Sequence, residues 1–168
     1  MARRSCKGRG HSLEVIAMLN ILIPVDGSSH ALLAVHHAVR LVHAGLRARF
    51  VVANVQESAT LYEMVVAHDP EVLEKVSEGA GLDLMRPAVA LLEAAGQKVE
   101  KEVATGDPAH MLIEIVERFG CHAVIMTAGT GGGLRAALLG SVTQHLVDHS
   151  PVPVTVVREP VAPSEEDL

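Results

Sequence analysis

Short apolar runs and amphipathic stretches alternate along the chain. The apolar runs are rich in β-branched residues and end at turn residues, a pattern typical of strands buried in a parallel sheet. The predicted strands cover residues 19–25, 50–55, 98–104, 123–126 and 152–157. The run at 98–104 alternates apolar with charged residues, so we expect an edge strand there.

Amphipathic helices are predicted between the strands, because apolar residues recur there every three or four positions. We expect the first helix after a cap at Ser28 or Ser29, and the third after Asp107, which Pro108 follows. The last helix covers 140–149. Strict alternation of strand and helix predicts a parallel sheet with right-handed crossovers, whose ligands bind beyond the carboxyl ends of the strands.

The second helix is predicted over 70–95. Gly79, Gly81 and Pro87 weaken it, so we expect a kink or a break. Its core candidates are apolar residues that recur along the stretch, namely Leu73, Val76, Ala80, Leu84, Val89 and Leu92.

Composition narrows the class of protein. The 168 residues are 49% hydrophobic and 2% aromatic, which indicates one ordered domain with a core of aliphatic side chains. Scarce aromatics argue against base stacking on single-stranded nucleic acid. The net charge is −6, and an acidic body is a poor match for a phosphate backbone or an anionic membrane. No apolar run approaches the length of a membrane-spanning helix.

The two ends of the chain differ from its middle in charge. Basic residues at the start predict a disordered extension over 1–17, and an acidic tail follows at 159–168. The domain is expected over 18–158. Cys6 and Cys121 imply no disulfide framework, so we expect a cytoplasmic protein.

Motifs of catalysis and of metal binding are missing from the sequence. It contains neither a P-loop nor a Gly-x-Ser-x-Gly motif, and we assign no catalytic residue. His145 and His149 are one helical turn apart, but no adjacent glutamate completes a metalloprotease pattern. We expect surface histidines and no metal site, because zinc needs three or four convergent ligands.

Two segments that follow predicted strands carry chemistry suited to a ligand. Asp26 directly follows the first predicted strand, where its carboxylate can accept hydrogen bonds from a bound molecule. Residues 140–143, Gly-Ser-Val-Thr, open the last helix, where unpaired N–H groups and two hydroxyls can bind an anion. Simpler interpretations are a tight turn after Asp26 and an ordinary helix cap at Gly140.

These two segments, with the apolar strand that follows the second, resemble the universal stress protein family over about residues 18–158. The resemblance implies a three-layer α/β/α sandwich like that of adenine-nucleotide hydrolases, with a five-stranded parallel sheet of order 3-2-1-4-5. It also implies a cytoplasmic homodimer with a role in stress survival. ATP or another adenine nucleotide would be the ligand, with Mg²⁺ only alongside it. Slow nucleotide hydrolysis is the most activity that the resemblance implies.

Family roles carry over to matching positions in this chain. The nucleotide-binding residues would be Pro24, Val25, Asp26, Val55, Met126, Thr127, Thr130, Gly140, Ser141, Val142 and Thr143. Asp26 would help hold adenine, and the backbone of Val55 would read the adenine edge. Thr127 and Thr130 stand where nucleotide-binding members have glycines. Because β-branched residues resist a positive φ, binding would be weak.

Three functions are compatible with these features. The leading hypothesis is a regulatory module that binds an adenine nucleotide, and its rival is a dimeric interaction protein that binds none. A nucleotide hydrolase ranks last, because residues 26–29 are not a Ser-Gly-Gly-rich pyrophosphate loop. We expect the apolar strand at 152–157 to pair two copies across a two-fold axis, since an apolar edge is unfavourable in water.

Overall fold

The computed structural model describes residues 18–58, 70–128 and 139–159. The predicted extension at 1–17 lies outside the described residues, as do Thr130 and the acidic tail from residue 160 onward. Among the helices of the described ranges, none combines the length and the apolar character needed to cross a membrane.

Strands and helices alternate as the sequence predicted. The elements are β1 (Leu19–Pro24), α1 (Leu32–His43), β2 (Ala48–Gln56), α2 (Pro70–Ala94), β3 (Val99–Thr105), α3 (Pro108–Arg118), β4 (Ala123–Thr127), α4 (Ser141–His149) and β5 (Val154–Val157). The strands form one five-stranded sheet in the order β3-β2-β1-β4-β5, with every neighbouring pair parallel. The predicted α/β class, the strand order and the edge position of β3 are confirmed.

The sheet separates two aliphatic cores. On one face, β1 and β2 side chains such as Ile23, Phe50 and Val52 pack against α1 and α2. On the other face, alternate residues such as Leu22 and Val51 pack against α3 and α4. The alternation follows from the pleat, because successive side chains of a strand point to opposite faces. The result is the expected three-layer sandwich.

We expected a kink or a break in α2. The helix runs without a break through Pro87, so the break is wrong. Pro87 is exposed, while Met85, Ala88 and Leu92 on either side of it are fully buried. Burial of this face offsets the loss of one helical hydrogen bond at the proline.

The rotational phase of α2 also differs from the prediction. Val89 and Leu92 are core residues as expected, but Val76 is 64% exposed and Leu84 39% exposed. Ala80 is exposed as well, and the side chain of Leu73 lies outside the described residues. Since Met85 and Ala88 face the sheet, positions 76, 80 and 84 turn away from the core.

Local hydrogen bonds determine the residues at which α1, α3 and β5 begin. The Ser28 hydroxyl accepts from the Ala31 N–H at 3.1 Å, so Ser28 caps the turn before α1 rather than α1 itself. Asp107 caps α3 as predicted, accepting from the His110 N–H at 3.0 Å. Strand β5 begins two residues later than expected, because Pro151 and Pro153 have no N–H to donate.

We predict that Gly81→Ala destabilises the fold. A Cβ there would sit 2.6 Å from Val103 Cγ1 on β3 and 3.1 Å from the Asn54 side-chain oxygen on β2. Overpacking of this kind costs about 1–3 kcal/mol, which urea denaturation would measure. Gly79→Ala is the matched control, because its Cβ would meet nothing within 4 Å. It should add up to about 1 kcal/mol of stability from helix propensity. Equal effects of the two variants would contradict close α2–sheet packing.

Candidate functional site

A cleft of about 740 Å³ opens at the carboxyl edge of the sheet, where the strand order reverses between β1 and β4. All the predicted site residues that the structure describes line it. They are Pro24, Val25, Asp26, Val55, Met126, Thr127, Gly140, Ser141, Val142 and Thr143. The remaining one, Thr130, lies outside the described residues. Strand ends and a helix start that are far apart in sequence therefore meet at one opening.

The carboxyl-terminal loop of β1 is fixed by hydrogen bonds around Asp26. Its Oδ1 accepts from the Ser28 hydroxyl at 2.6 Å and from the Ser28 N–H at 2.9 Å. Partial burial alone would raise the pKa of the Asp26 carboxyl, but these two bonds, the backbone N–H of Asp26 and the nearby His30 together outweigh burial and lower the pKa. At neutral pH the cleft therefore presents an ionised carboxylate. No other described residue donates a hydrogen bond to its Oδ2, which leaves that oxygen for a ligand that donates one.

Gly27 makes the tight turn beside Asp26. Its φ is +84°, which glycine adopts readily, and an added Cβ would lie 2.3 Å from Leu84 Cδ2. Leu84 lines the cleft, which accounts for a leucine of α2 that is half-exposed and outside the core.

Asn54 is a buried polar residue that the sequence analysis missed. It is 3% exposed, and its Nδ2 donates to the Val25 carbonyl at 2.8 Å. Its Oδ1 accepts from the Gln56 amide. Asn54 thus holds the end of β1 at a set distance from β2. A polar amide within the apolar run of β2 was the sequence feature that could have identified it.

The opposite side of the cleft is the start of α4. Gly140 is the N-cap residue with extended backbone and makes no side-chain cap within the described residues. As in any α-helix, the first N–H groups have no intrahelical partner, and they lie at the positive end of the helix dipole. An anion is the natural partner for such a helix start.

The two hydroxyls predicted at this helix start differ in their surroundings. Ser141 is exposed. Thr143 is 2% exposed, and its hydroxyl donates to the Thr127 carbonyl at 3.2 Å. Thr143 therefore ties β4 to α4, and Ser141 is the hydroxyl that is free to meet a ligand.

Thr127 carries no backbone strain in this structure. It is the last residue of β4, paired with Val157 of β5, and no residue other than glycine has a positive φ in the described ranges. A β-branched residue suits this extended position. The expectation that Thr127 and Thr130 weaken nucleotide binding stays a prediction.

His30 is a second residue that the sequence analysis missed. It lies in the turn before α1, lines the cleft, and its Nε2 is 2.8 Å from the Ala128 carbonyl oxygen. In the described lining it is the only side chain able to carry positive charge, against the carboxylates of Asp26 and Glu57.

The described residues form neither a cluster of metal ligands nor a reactive cysteine. No three His, Cys, Asp or Glu side chains converge there to hold a metal ion. His145 stacks on His149 with ring centroids 4.3 Å apart instead. Burial raises the pKa of the Cys121 thiol to about 11, so its reactive thiolate is scarce at neutral pH.

A family model and a related protein both point to the same family. The model of the universal stress protein family matches residues 18–158. A Staphylococcus aureus (strain USA300) protein that carries the universal stress protein name is 30% identical over 154 residues, covering 90% of each chain.

Solved structures share the fold. The universal stress protein UspA of Lactobacillus plantarum is 26% identical, with a TM-score of 0.63 over 83% of this chain and 97% of its own. A family protein of Arabidopsis thaliana, solved with AMP bound, is 19% identical, with a TM-score of 0.62 over 89% of this chain and 98% of its own. The second likeness is one of fold.

We predict that Thr127→Gly brings no gain in ATP affinity, because no strain exists at this position to relieve. It should instead lower the free energy of unfolding by about 0.5–1 kcal/mol, since glycine weakens a strand. Thr105→Gly, the same change at the end of β3, is the stability control. Calorimetric titration of ATP would decide, and tighter binding by Thr127→Gly would show that the bound loop needs a glycine-like backbone here.

Proposed function

Because the chain belongs to the universal stress protein family, we propose that it is a cytoplasmic regulatory module of the stress response that binds an adenine nucleotide. The observation that carries this proposal is the cleft itself. A hydrogen-bond acceptor at the end of β1 and an anion-binding helix start at α4 face one opening of about 740 Å³, within the size range of small-molecule sites.

The β1–β2 side of the cleft suits a base. Asp26 is ionised and can accept from an exocyclic amino group, while Val25 and Val55 supply apolar contact. The Val25 carbonyl already accepts from Asn54, so the wall that a base would meet is held in place before binding. Preorganisation of this kind reduces the ordering cost of binding.

The α4 side suits a phosphate. The N–H groups at the helix start, the dipole and the exposed Ser141 hydroxyl offer hydrogen bonds to an anion. Asp26 and Glu57 oppose a highly charged ligand, so the net affinity for a triphosphate is expected to be modest, and Mg²⁺ would enter only with the nucleotide. The Arabidopsis thaliana neighbour solved with AMP supports an adenine nucleotide as the ligand class.

Binding without catalysis fits the described residues better than an enzyme. In the described lining the groups that could act as a base are Asp26, His30 and Glu57, and none of them is hydrogen-bonded to the hydroxyl of Ser58 or Ser141. Slow hydrolysis of bound nucleotide is the most activity that this arrangement supports. The rival function, an interaction protein that binds no nucleotide, predicts an empty cleft in solution.

We predict that Asp26→Ala and Ser141→Ala distinguish the contributions of the two halves of the cleft to ligand binding. Asp26→Ala should weaken adenosine by roughly tenfold, the effect of losing a hydrogen bond to a charged group. It should weaken ATP by less, because the loss of the carboxylate also removes its repulsion of the phosphates. Ser141→Ala should weaken ATP several-fold and leave adenosine unchanged, because its hydroxyl faces phosphate. Titration calorimetry measures both ligands.

Asp148→Ala is the control, because Asp148 is an exposed carboxylate in the last turn of α4 and does not line the cleft. No measurable binding of ATP, AMP or adenosine by the wild-type protein would overturn the nucleotide function and favour the interaction protein.

We also propose a homodimer through the β5 edge. Strand β5 ends the sheet, and its Val154, Val156 and Val157 are only partly buried, while Thr155 is exposed. An apolar edge with unpaired backbone groups is a template for pairing. Two copies placed antiparallel about a two-fold axis would cover both edges.

We predict that Thr155→Lys shifts the protein toward monomer, because each copy would bring a lysine charge into the paired β5 edge. Sedimentation velocity at micromolar concentration measures the shift. Thr105→Lys, the same change on the opposite edge strand, should leave the sedimentation coefficient unaltered. A wild-type protein that sediments as a monomer would refute this interface.

A further inference from the structure

The cleft exists because the pairing between β1 and β4 stops before either strand ends. Their parallel register includes Ile21–Ala123 and Leu22–Val124 and goes no further, although β1 runs to Pro24 and β4 to Thr127. On the other side of β1, pairing with β2 continues to Pro24–Ala53. Beyond Leu22, therefore, the sheet ladder does not hold the two sides of the cleft together.

His30 spans this opening. Its ring Nε2 lies 2.8 Å from the Ala128 carbonyl, a contact between residues 98 apart in the chain. A carbonyl can only accept, so Nε2 carries the hydrogen and donates it. The contact is partly buried, and the imidazole Nδ1 lies 3.8 Å from the exposed Glu159 carboxylate after β5. One side chain from the α1 turn thus reaches the carboxyl end of β4.

The end of β4 is also held by β5, where the Ala128 N–H donates to the Val157 carbonyl at 3.1 Å. A second side-chain bond at this end comes from α4. Thr143 donates to the carbonyl of Thr127, the residue just before Ala128. Consecutive carbonyls are therefore held from opposite sides, by His30 from the Asp26 loop and by Thr143 from the helix that carries Ser141. This chain of contacts links the base side of the cleft to its anion side.

We propose that His30 is a positioning residue that sets the spacing between the two halves of the cleft. The inference rests on the proposed nucleotide function and deepens it. A ligand with a base and a phosphate must contact the Asp26 loop and the α4 start at once, so it depends on this spacing. A ligand confined to the Asp26 side does not. His30 itself need not touch either ligand.

Three variants at position 30 test the role, with AMP and adenosine as probes in titration calorimetry. His30→Ala removes the hydrogen bond and should weaken AMP by roughly five- to tenfold while changing adenosine by less than about twofold. His30→Gln places an amide N–H near the position of Nε2 and should restore most of the AMP affinity. His30→Asn has a donor but is too short to reach Ala128, so it should behave like His30→Ala.

The control is His36→Ala, because His36 is an exposed histidine of α1 that does not line the cleft. Equal loss of AMP and adenosine, unchanged AMP binding by His30→Ala, or failure of Gln to rescue would each overturn the positioning role. Failure of the wild-type protein to bind AMP or adenosine would instead overturn the proposed function, and the role of His30 with it.

The wild-type protein offers a measurement that needs no variant. Nitrogen-15 NMR of the imidazole should show the Nε2–H tautomer for His30, with its ring proton protected from solvent exchange. An Nδ1–H tautomer, or a rapidly exchanging proton, would show that the bond to Ala128 is absent in solution and would overturn the proposal even if the variants fail to fold.

Discussion

The separation of β1 from β4 is the constraint on which the rest of the site depends. Strand β1 lies in the middle of the sheet and is fully paired with β2, but it leaves β4 after Leu22. A gap between parallel strands exposes backbone groups and the ends of two helices in one place. The buried amide of Asn54, the ring of His30 and the hydroxyl of Thr143 then hold the edges of this gap.

Sequence patterns predicted the fold well because each strand carries its own signal. Continuous β-branched runs identify the central strands, alternation identifies β3, and helical spacing separates them. The strand order came from the resemblance to the family, because the pattern alone leaves several parallel orders open. Errors arose where several local signals compete. In α2, glycines and a proline suggested a break, but burial of Met85 and Leu92 keeps one continuous helix.

The candidate site was predictable only in part. Residues at strand ends and at a helix start, such as Asp26 and Ser141, stand out from their position relative to the elements. Asn54 and His30 did not, because their importance lies in contacts with residues far along the chain. Thr127 stands at a family glycine position but is an ordinary strand residue without a positive φ, and its effect on nucleotide affinity stays a prediction.

The nearly pure aliphatic core has an optical consequence. Phe50 is the one aromatic side chain among the fully buried residues of the described ranges, and the whole chain contains no Trp and a single Tyr. The protein therefore absorbs very little light at 280 nm. A purine absorbs strongly near 260 nm, so even partial occupancy of the cleft would dominate the ultraviolet spectrum of the purified protein. Because the protein itself absorbs so weakly, the absorbance of a bound nucleotide can be measured directly on the purified protein.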